Sequence, residues 1–186
     1  MKKRKKARGR GGFTLAETLL AVLILLMVSA ITAAGIPAAK NAYEKVVLGA
    51  NARILLSTSI TALRDELGTA RDVTVTGNTV DYYSAKTHAN SQIYLDSEPP
   101  AIMVRDYVGL EGSVIDPEGG TAQTMRRLVS DKAATADLYV TYSSTPAVSA
   151  DGSMITFNKV EVRRRAGGSV LASLEKLDIR LIAGDI

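Results

Sequence analysis

The sequence predicts an α+β protein in which a long N-terminal helix packs on an antiparallel β-sheet head. Three observations lead to this fold class. The 27 residues from Phe13 to Ala39 carry one formal charge. A helix-forming stretch without proline continues from there to about Gly68. Short runs of alternating apolar residues fill the rest of the chain, and a sheet with one apolar face needs a helix as its cover.

Positive charge is concentrated at the start of the chain. Seven of the 23 Lys and Arg residues lie in the first ten positions, which leaves 16 basic against 19 acidic residues afterwards. The folded part therefore has a formal net charge of −3 (16 − 19), and the basic pI does not indicate a nucleic-acid-binding body. The chain has no cysteine, which excludes disulfides and thiolate metal sites.

The apolar run is long enough to cross a membrane. As a helix it would measure roughly 40 Å, and the hydrocarbon core of a bilayer is about 30 Å thick. The positive residues before it predict that the leader stays in the cytoplasm and the body lies outside. A secretory signal peptide cut after residues 28–30 and a permanent anchor both fit that pattern. Neither explains Glu17, because a carboxylate inside a membrane helix is costly and usually functional.

The residues around Glu17 carry a recognisable pattern. Residues 11–17 read Gly-Gly-Phe-Thr-Leu-Ala-Glu between the basic leader and the apolar run. This resembles the class III signal of type IV pilins and pseudopilins over about the first 45 residues. The resemblance implies that a prepilin peptidase cuts between Gly12 and Phe13 and that the new amino group of Phe13 is methylated. It also implies that Glu17 pairs with the N-terminal ammonium of a neighbouring subunit; interfacial snorkelling is the alternative.

The resemblance implies four segments, with a kink in the helix at Gly35 and Pro37. Proline removes a backbone donor and usually bends a helix, although a simple membrane exit signal is equally consistent with Pro37. The segments are a basic leader (1–12), a transmembrane and filament-core helix (13–38), an amphipathic continuation of that helix (39–69) and an extracytoplasmic β-rich head (70–186).

Beyond the membrane, helical spacing predicts which residues of the continuation face the head, and Gly68 ends the helix. The predicted apolar series is Val46, Ala50, Ile54, Leu56, Ile60, Leu63 and Leu67. The predicted solvated side carries Lys40, Glu44, Lys45, Arg53, Arg64, Asp65 and Glu66.

Turn residues between apolar runs predict the strands of the head. Gly77-Asn78 joins a hairpin, and Gly167-Gly168 joins a second hairpin near the C-terminus, where Leu177, Ile179 and Leu181 alternate with charged residues. Further strands are predicted at 92–95, 101–104 and 137–142. The Ala- and Thr-rich stretch 119–136 is expected to form a short helix.

No catalytic residue, metal site or cofactor is predicted for the head. The single histidine, His88, is interpreted as a surface-loop residue, and Asp116-Pro-Glu118 as a turn rather than a calcium site. One arginine cluster is a candidate DNA-binding patch, with a solvated strand end as the alternative. Its members are Arg126, Arg127, Arg163, Arg164 and Arg165.

These expectations describe a structural protein rather than an enzyme. The resemblance implies a single-pass protein of the cytoplasmic membrane that becomes a subunit of an extracellular type IV pilus-like filament, a fimbrium used in functions such as cell adhesion. Its expected partners are the prepilin peptidase, other pilin subunits in a homo- or heteropolymer, the membrane and the pilus assembly platform; DNA is the weaker candidate. The alternatives are a pseudopilin of type II protein secretion or DNA uptake, and a membrane-anchored binding domain that does not polymerise.

Overall fold

The computed structural model describes residues 14–97, 100–108, 121–129 and 137–181. One α-helix, α1, spans Leu15–Leu67, and antiparallel strands follow it, so the predicted α+β fold class is confirmed. The strands are β1 (Ala70–Thr76), β2 (Thr79–Ser84), β3 (Ala89–Ser97), β4 (Pro100–Val108), β5 (Thr121–Arg127), β6 (Leu138–Tyr142), β7 (Ala147–Val148), β8 (Met154–Arg164) and β9 (Val170–Arg180).

The chain divides into two compact units, Met1–Val46 and Val47–Ile186. In the first unit the described residues, 14–46, are all exposed. The second unit contains the remainder of α1 and both β-sheets.

The first sheet is a five-stranded antiparallel meander in the order β1-β2-β3-β4-β5. The predicted hairpin at Gly77-Asn78 is confirmed, since Thr76 pairs with Thr79 and Gly77 has a φ of 60°, which glycine adopts without strain. The strands predicted near 92–95 and 101–104 are confirmed as parts of β3 and β4.

The second sheet is built around the long strand β8. Strand β9 pairs along one edge of β8, and β6 and β7 share the other edge. The hairpin at Gly167-Gly168 is confirmed, and both glycines have positive φ. The alternation at the end of β9 is also confirmed, because Leu177, Ile179 and Leu181 are buried while Asp178 and Arg180 are exposed.

The short helix expected within residues 119–136 is wrong for the part that the structure describes. Residues 121–127 form β5, which pairs with β4 from Val108↔Thr121 to Met103↔Arg127. The stretch has little apolar periodicity of its own, so the exposed hydrogen-bonding edge of β4 determines its conformation.

Helix residues from Ala52 onward cover the core between the two sheets. Ala52, Leu55, Leu63 and Leu67 are at most 2% exposed and belong to one cluster with core residues of both sheets, Tyr82 and Phe157 among them. Leu56 and Ile60 are partly buried against this cluster. The prediction is therefore confirmed for the later members of the apolar series, Leu56, Ile60, Leu63 and Leu67.

Two predictions about α1 are corrected. Val46, Ala50 and Ile54 were expected to face the head, but Val46 is 70% and Ile54 61% exposed, and Ala50 is exposed as well. Glu66 was expected on the solvated side, but it is 5% exposed. The core-facing row runs through Ala52, Leu55, Ser59, Leu63 and Glu66, and a helix face only about 100° wide leaves the other apolar row outside.

Candidate functional site

The first candidate site is the apolar surface of α1 before the head. Large apolar side chains from Leu15 to Ile36 are more than half exposed, and α1 contains a segment long and apolar enough to cross a membrane. Such a surface in water would be strongly unfavourable, at about 25 cal/mol per Å² of apolar area. The helix is therefore compatible with a membrane anchor.

Glu17 closes a capping box at the start of α1. Its Oε2 accepts a hydrogen bond from the Thr14 backbone nitrogen at 2.9 Å and another from Thr14 Oγ1 at 3.0 Å. Thr14 Oγ1 in turn accepts one from the Glu17 backbone nitrogen at 3.3 Å. Two backbone donors of the helix end are thus satisfied reciprocally. The spacing Thr-x-x-Glu is the sequence signal for this box, and the sequence interpretation of Glu17 had not included it.

The capping box uses only one oxygen of the carboxylate. Among the described residues, Oε1 of Glu17 has no hydrogen-bond partner. The same side chain can therefore cap its own helix through Oε2 and accept a hydrogen bond from a cation through Oε1.

Of the four other residues predicted for this region, the structure describes two. Gly12 and Phe13 lie outside the described residues. Gly35 and Pro37 lie within α1, which continues through both positions. The kink at these two residues stays a prediction.

A second cluster, found only in the structure, lies where the end of α1 meets the five-stranded sheet. Tyr82 Oη donates to Glu66 Oε1 at 2.8 Å, and Arg126 Nη2 donates to Glu66 Oε2 at 2.9 Å. Asp106 accepts from Ser91 at 2.7 Å and, through its other oxygen, lies 3.9 Å from Arg126 Nε. We call these five residues the Glu66 cluster.

The Glu66 cluster is held together because its other four members occupy the inward face of the sheet, opposite Glu66 on α1. Tyr82, Ser91 and Asp106 lie side by side across β2, β3 and β4, and Arg126 lies one row further along. Burial, with the charge and hydrogen bond of Glu66, raises the pKa of Tyr82 far above its ordinary value. The cluster fixes the helix end on the sheet, and each of its five side chains has a partner within the cluster.

The structure divides the predicted arginine patch. Burial alone would lower the pKa of Arg126, but the hydrogen bond to Glu66 and the charges of Glu66 and Asp106 together outweigh it, and the pKa is raised. Arg163 binds the buried Glu161 at 2.7 Å, and Arg164 lies 3.8 Å from Asp137. The remaining two, Arg127 and Arg165, line one cleft, and Arg165 lies in a turn after β8 rather than on the strand.

Of the residues considered for catalysis or metal binding, the structure describes only His88. His88 is exposed in the turn between β2 and β3, with a φ of 52°. Asp116 and Glu118 lie outside the described residues.

Comparison with known proteins finds no match for this chain among models of protein families, curated proteins or solved structures.

Proposed function

We propose that the chain is a prepilin whose mature form is a structural subunit of a type IV pilus-like filament. The proposal starts from the Gly12-Phe13 junction and Glu17 at the head of an apolar helix. The observation that carries it furthest is the exposed apolar surface of α1 beyond the length that a bilayer covers.

The length of that surface favours assembly over simple anchoring. From Leu15 to Ile54 the helix has 40 residues, a contour of about 60 Å at ~1.5 Å per residue. A bilayer core covers only about 30 Å. A merely anchored monomer would therefore leave the distal apolar side chains in water, including Tyr43 (71% exposed), Val46 and Ile54.

Those distal residues are spaced to lie on one helix face. Tyr43, Val46, Ala50 and Ile54 follow one another at spacings of three and four residues, and we call them the outer stripe. In the head, Ala50 and Ile54 of the outer stripe lie on the side of α1 opposite the buried row that includes Leu55. Helices of neighbouring subunits would bury the outer stripe by ridge-into-groove packing, as their apolar segments leave the lipid for the filament core.

Glu17 would set the axial register of this packing. In the proposed filament its open Oε1 accepts a hydrogen bond from the methylated ammonium of Phe13 in a neighbour, while Oε2 keeps the helix cap. An ammonium in an apolar surrounding needs such a partner, since an unpaired charge there costs several kcal/mol. The charge of Glu17, and not only its hydrogen-bonding oxygens, is then required for assembly.

Two variants separate the charge from the cap. Glu17→Gln keeps a side chain that completes a capping box but removes the charge. Thr14→Ala removes the hydroxyl half of the capping box, which satisfies the Glu17 backbone nitrogen, and keeps the charge. We expect Glu17→Gln to be cleaved and inserted normally yet to give less than a tenth of the wild-type filament yield in sheared-cell fractions. Thr14→Ala should retain most of the yield.

The reverse ranking would contradict this role of Glu17. If Glu17→Gln assembles normally and Thr14→Ala does not, the residue acts as a helix cap alone. Membrane fractions probed for the processed chain show whether either variant fails earlier, at insertion or at cleavage by the prepilin peptidase.

A further inference from the structure

The cleft between α1 and the two sheets combines an apolar floor with a cationic rim. Its walls include Leu55 from α1, Ile102 from β4, and Leu138 and Val140 from β6. Arg127 and Arg165 also line it. Leu55, Ile102 and Leu138 are at most 4% exposed, so the floor is part of the hydrophobic core.

Arg165 differs from Arg126, Arg163 and Arg164 in its partners. Arg126, Arg163 and Arg164 each have a carboxylate partner within the chain. The guanidinium of Arg165 has no hydrogen bond or ion pair to any residue that the structure describes. It is exposed, and its five donors are free to bind a carboxylate.

The size of the cleft limits what it can hold. Its volume is about 40 Å³, and one water needs at least about 10–15 Å³ of such space. It therefore has room for the end of one branched aliphatic side chain. A complementary occupant is a peptide segment in which such a side chain lies next to a carboxylate.

We propose that this cleft binds the acidic stretch between β4 and β5, residues 109–120, of a second copy of the chain. That stretch contains three acidic residues and no basic one, and it carries a leucine, a valine and an isoleucine. Asp116 directly follows Ile115, which is the required pairing of a branched side chain with a carboxylate.

Within one copy, this contact would require the connection to be fully extended. The stretch begins after Val108, and Ile102 is the lining residue of β4 nearest to it in the chain. Six steps along the strand separate these two residues, about 20 Å at ~3.4 Å per residue. A 12-residue connection returning to β5 extends at most about 20 Å from its ends. A second copy needs no such extension, and because the two surfaces differ the contact is head-to-tail, which builds open helical assemblies.

This inference rests on the proposed function, because a filament brings neighbouring copies of the chain together. Its binding step is tested without filaments. A fluorescent synthetic peptide of residues 109–120 is titrated with the full chain in detergent micelles at 0.15 M salt, and fluorescence anisotropy reports binding. We expect saturable binding that weakens about tenfold in Arg165→Gln, the loss of one charge-assisted contact. The matched control Arg180→Gln removes an exposed charge on β9, beside Met154 at the other end of β8 from Arg165, and should leave binding unchanged.

Equal binding by wild type and Arg165→Gln would overturn the inference, as would equal binding of a peptide with its three acids changed to amides. Because Arg165 is exposed, its substitution is not expected to unfold the head, and circular dichroism of each variant checks this.

Engineered cysteines test the contact between copies in cells, since the chain has none of its own. Copies carrying Ile115→Cys are co-expressed with copies carrying Val129→Cys, which lines the cleft. A disulfide-linked heterodimer is expected, and Arg180→Cys in place of Val129→Cys should give none. Peptide binding without filaments would keep the cleft assignment and refute the proposed function. Filaments without peptide binding or heterodimer would do the opposite.

Discussion

Substitutions at the neighbouring residues Ile54 and Leu55 should affect filament assembly and the stability of the head separately. It is 61% exposed on the outer stripe, while the adjacent Leu55 is 2% exposed in the core. If the outer stripe packs against neighbouring subunits, Ile54→Ala weakens the filament and leaves the folded monomer intact. Leu55→Ala destabilises the folded monomer, because it creates a cavity in the core.

The expected size of the effect follows from the exposed area. Full burial of an isoleucine side chain contributes about 1.5–3 kcal/mol, and 61% of the residue remains to be buried in the filament. The contribution that Ile54→Ala can remove is therefore about 1–2 kcal/mol, which raises the critical concentration for assembly by a factor of about 5–30. Ile54→Asp would also bury an unpaired carboxylate and should abolish filaments.

Two measurements read these outcomes separately. Urea unfolding in detergent, followed by circular dichroism, gives the free energy of unfolding of each variant. We expect a change below about 0.5 kcal/mol for Ile54→Ala and a loss of about 2–5 kcal/mol for Leu55→Ala. The critical concentration is obtained by pelleting filaments over a dilution series. Assembly of Ile54→Asp at the wild-type level would show that Ile54 is not buried in the filament, because a charge cannot lie at a dry helix interface without a large cost.

Two further predictions concern the head. Arg126→Ala leaves the Glu66 carboxylate, which is 5% exposed, without its cation. We expect the free energy of unfolding to fall by about 2 kcal/mol, a value that already allows for solvent screening of the 41% exposed arginine. Arg180→Ala is the matched control, and an equal loss in both variants would contradict the assigned role of Arg126. Burial raises the pKa of Tyr142, so the folded chain keeps a proton that the unfolded chain releases above about pH 10. Stability should therefore be fully present below about pH 10 and fall as the pH rises beyond it, and Tyr142→Phe should lessen that slope by about 1.4 kcal/mol per pH unit in urea titrations; an unchanged slope would exclude this tyrosine as its source.

The features predictable from the sequence are those with local signals. The two hairpins were predicted because glycine supplies the backbone conformation that their turns require, and α1 because its composition favours a helix throughout. The alternation at Leu177, Ile179 and Leu181 identified the buried face of β9, since side chains on a strand point to opposite faces in turn.

The features that sequence reasoning missed depend on partners distant in the chain. β5 forms because β4 offers an edge, and nothing within residues 121–127 indicates that edge. Glu66 was assigned to solvent because a charged residue is rarely buried, yet Arg126, 60 residues away, makes its burial favourable. The register of α1 on the core was also ambiguous, because two apolar rows on opposite faces both fit helical spacing.

The two sites differ in how far the sequence predicts them. Glu17 and the Gly12-Phe13 junction lie within residues 12–17, so their pattern is visible in one short stretch of sequence. The cleft at Arg165 required the fold, because its walls come from α1, β4 and β6. Only the pairing of the other arginines identified Arg165 as the one to test.

Processing of the chain as a prepilin is tested most directly by the mass and N-terminal sequence of the chain extracted from membranes. We expect a mature chain that begins at Phe13 and carries one added methyl group on its amino nitrogen. A chain that begins at Ile31, as after signal-peptide cleavage, or that retains Met1 would contradict it.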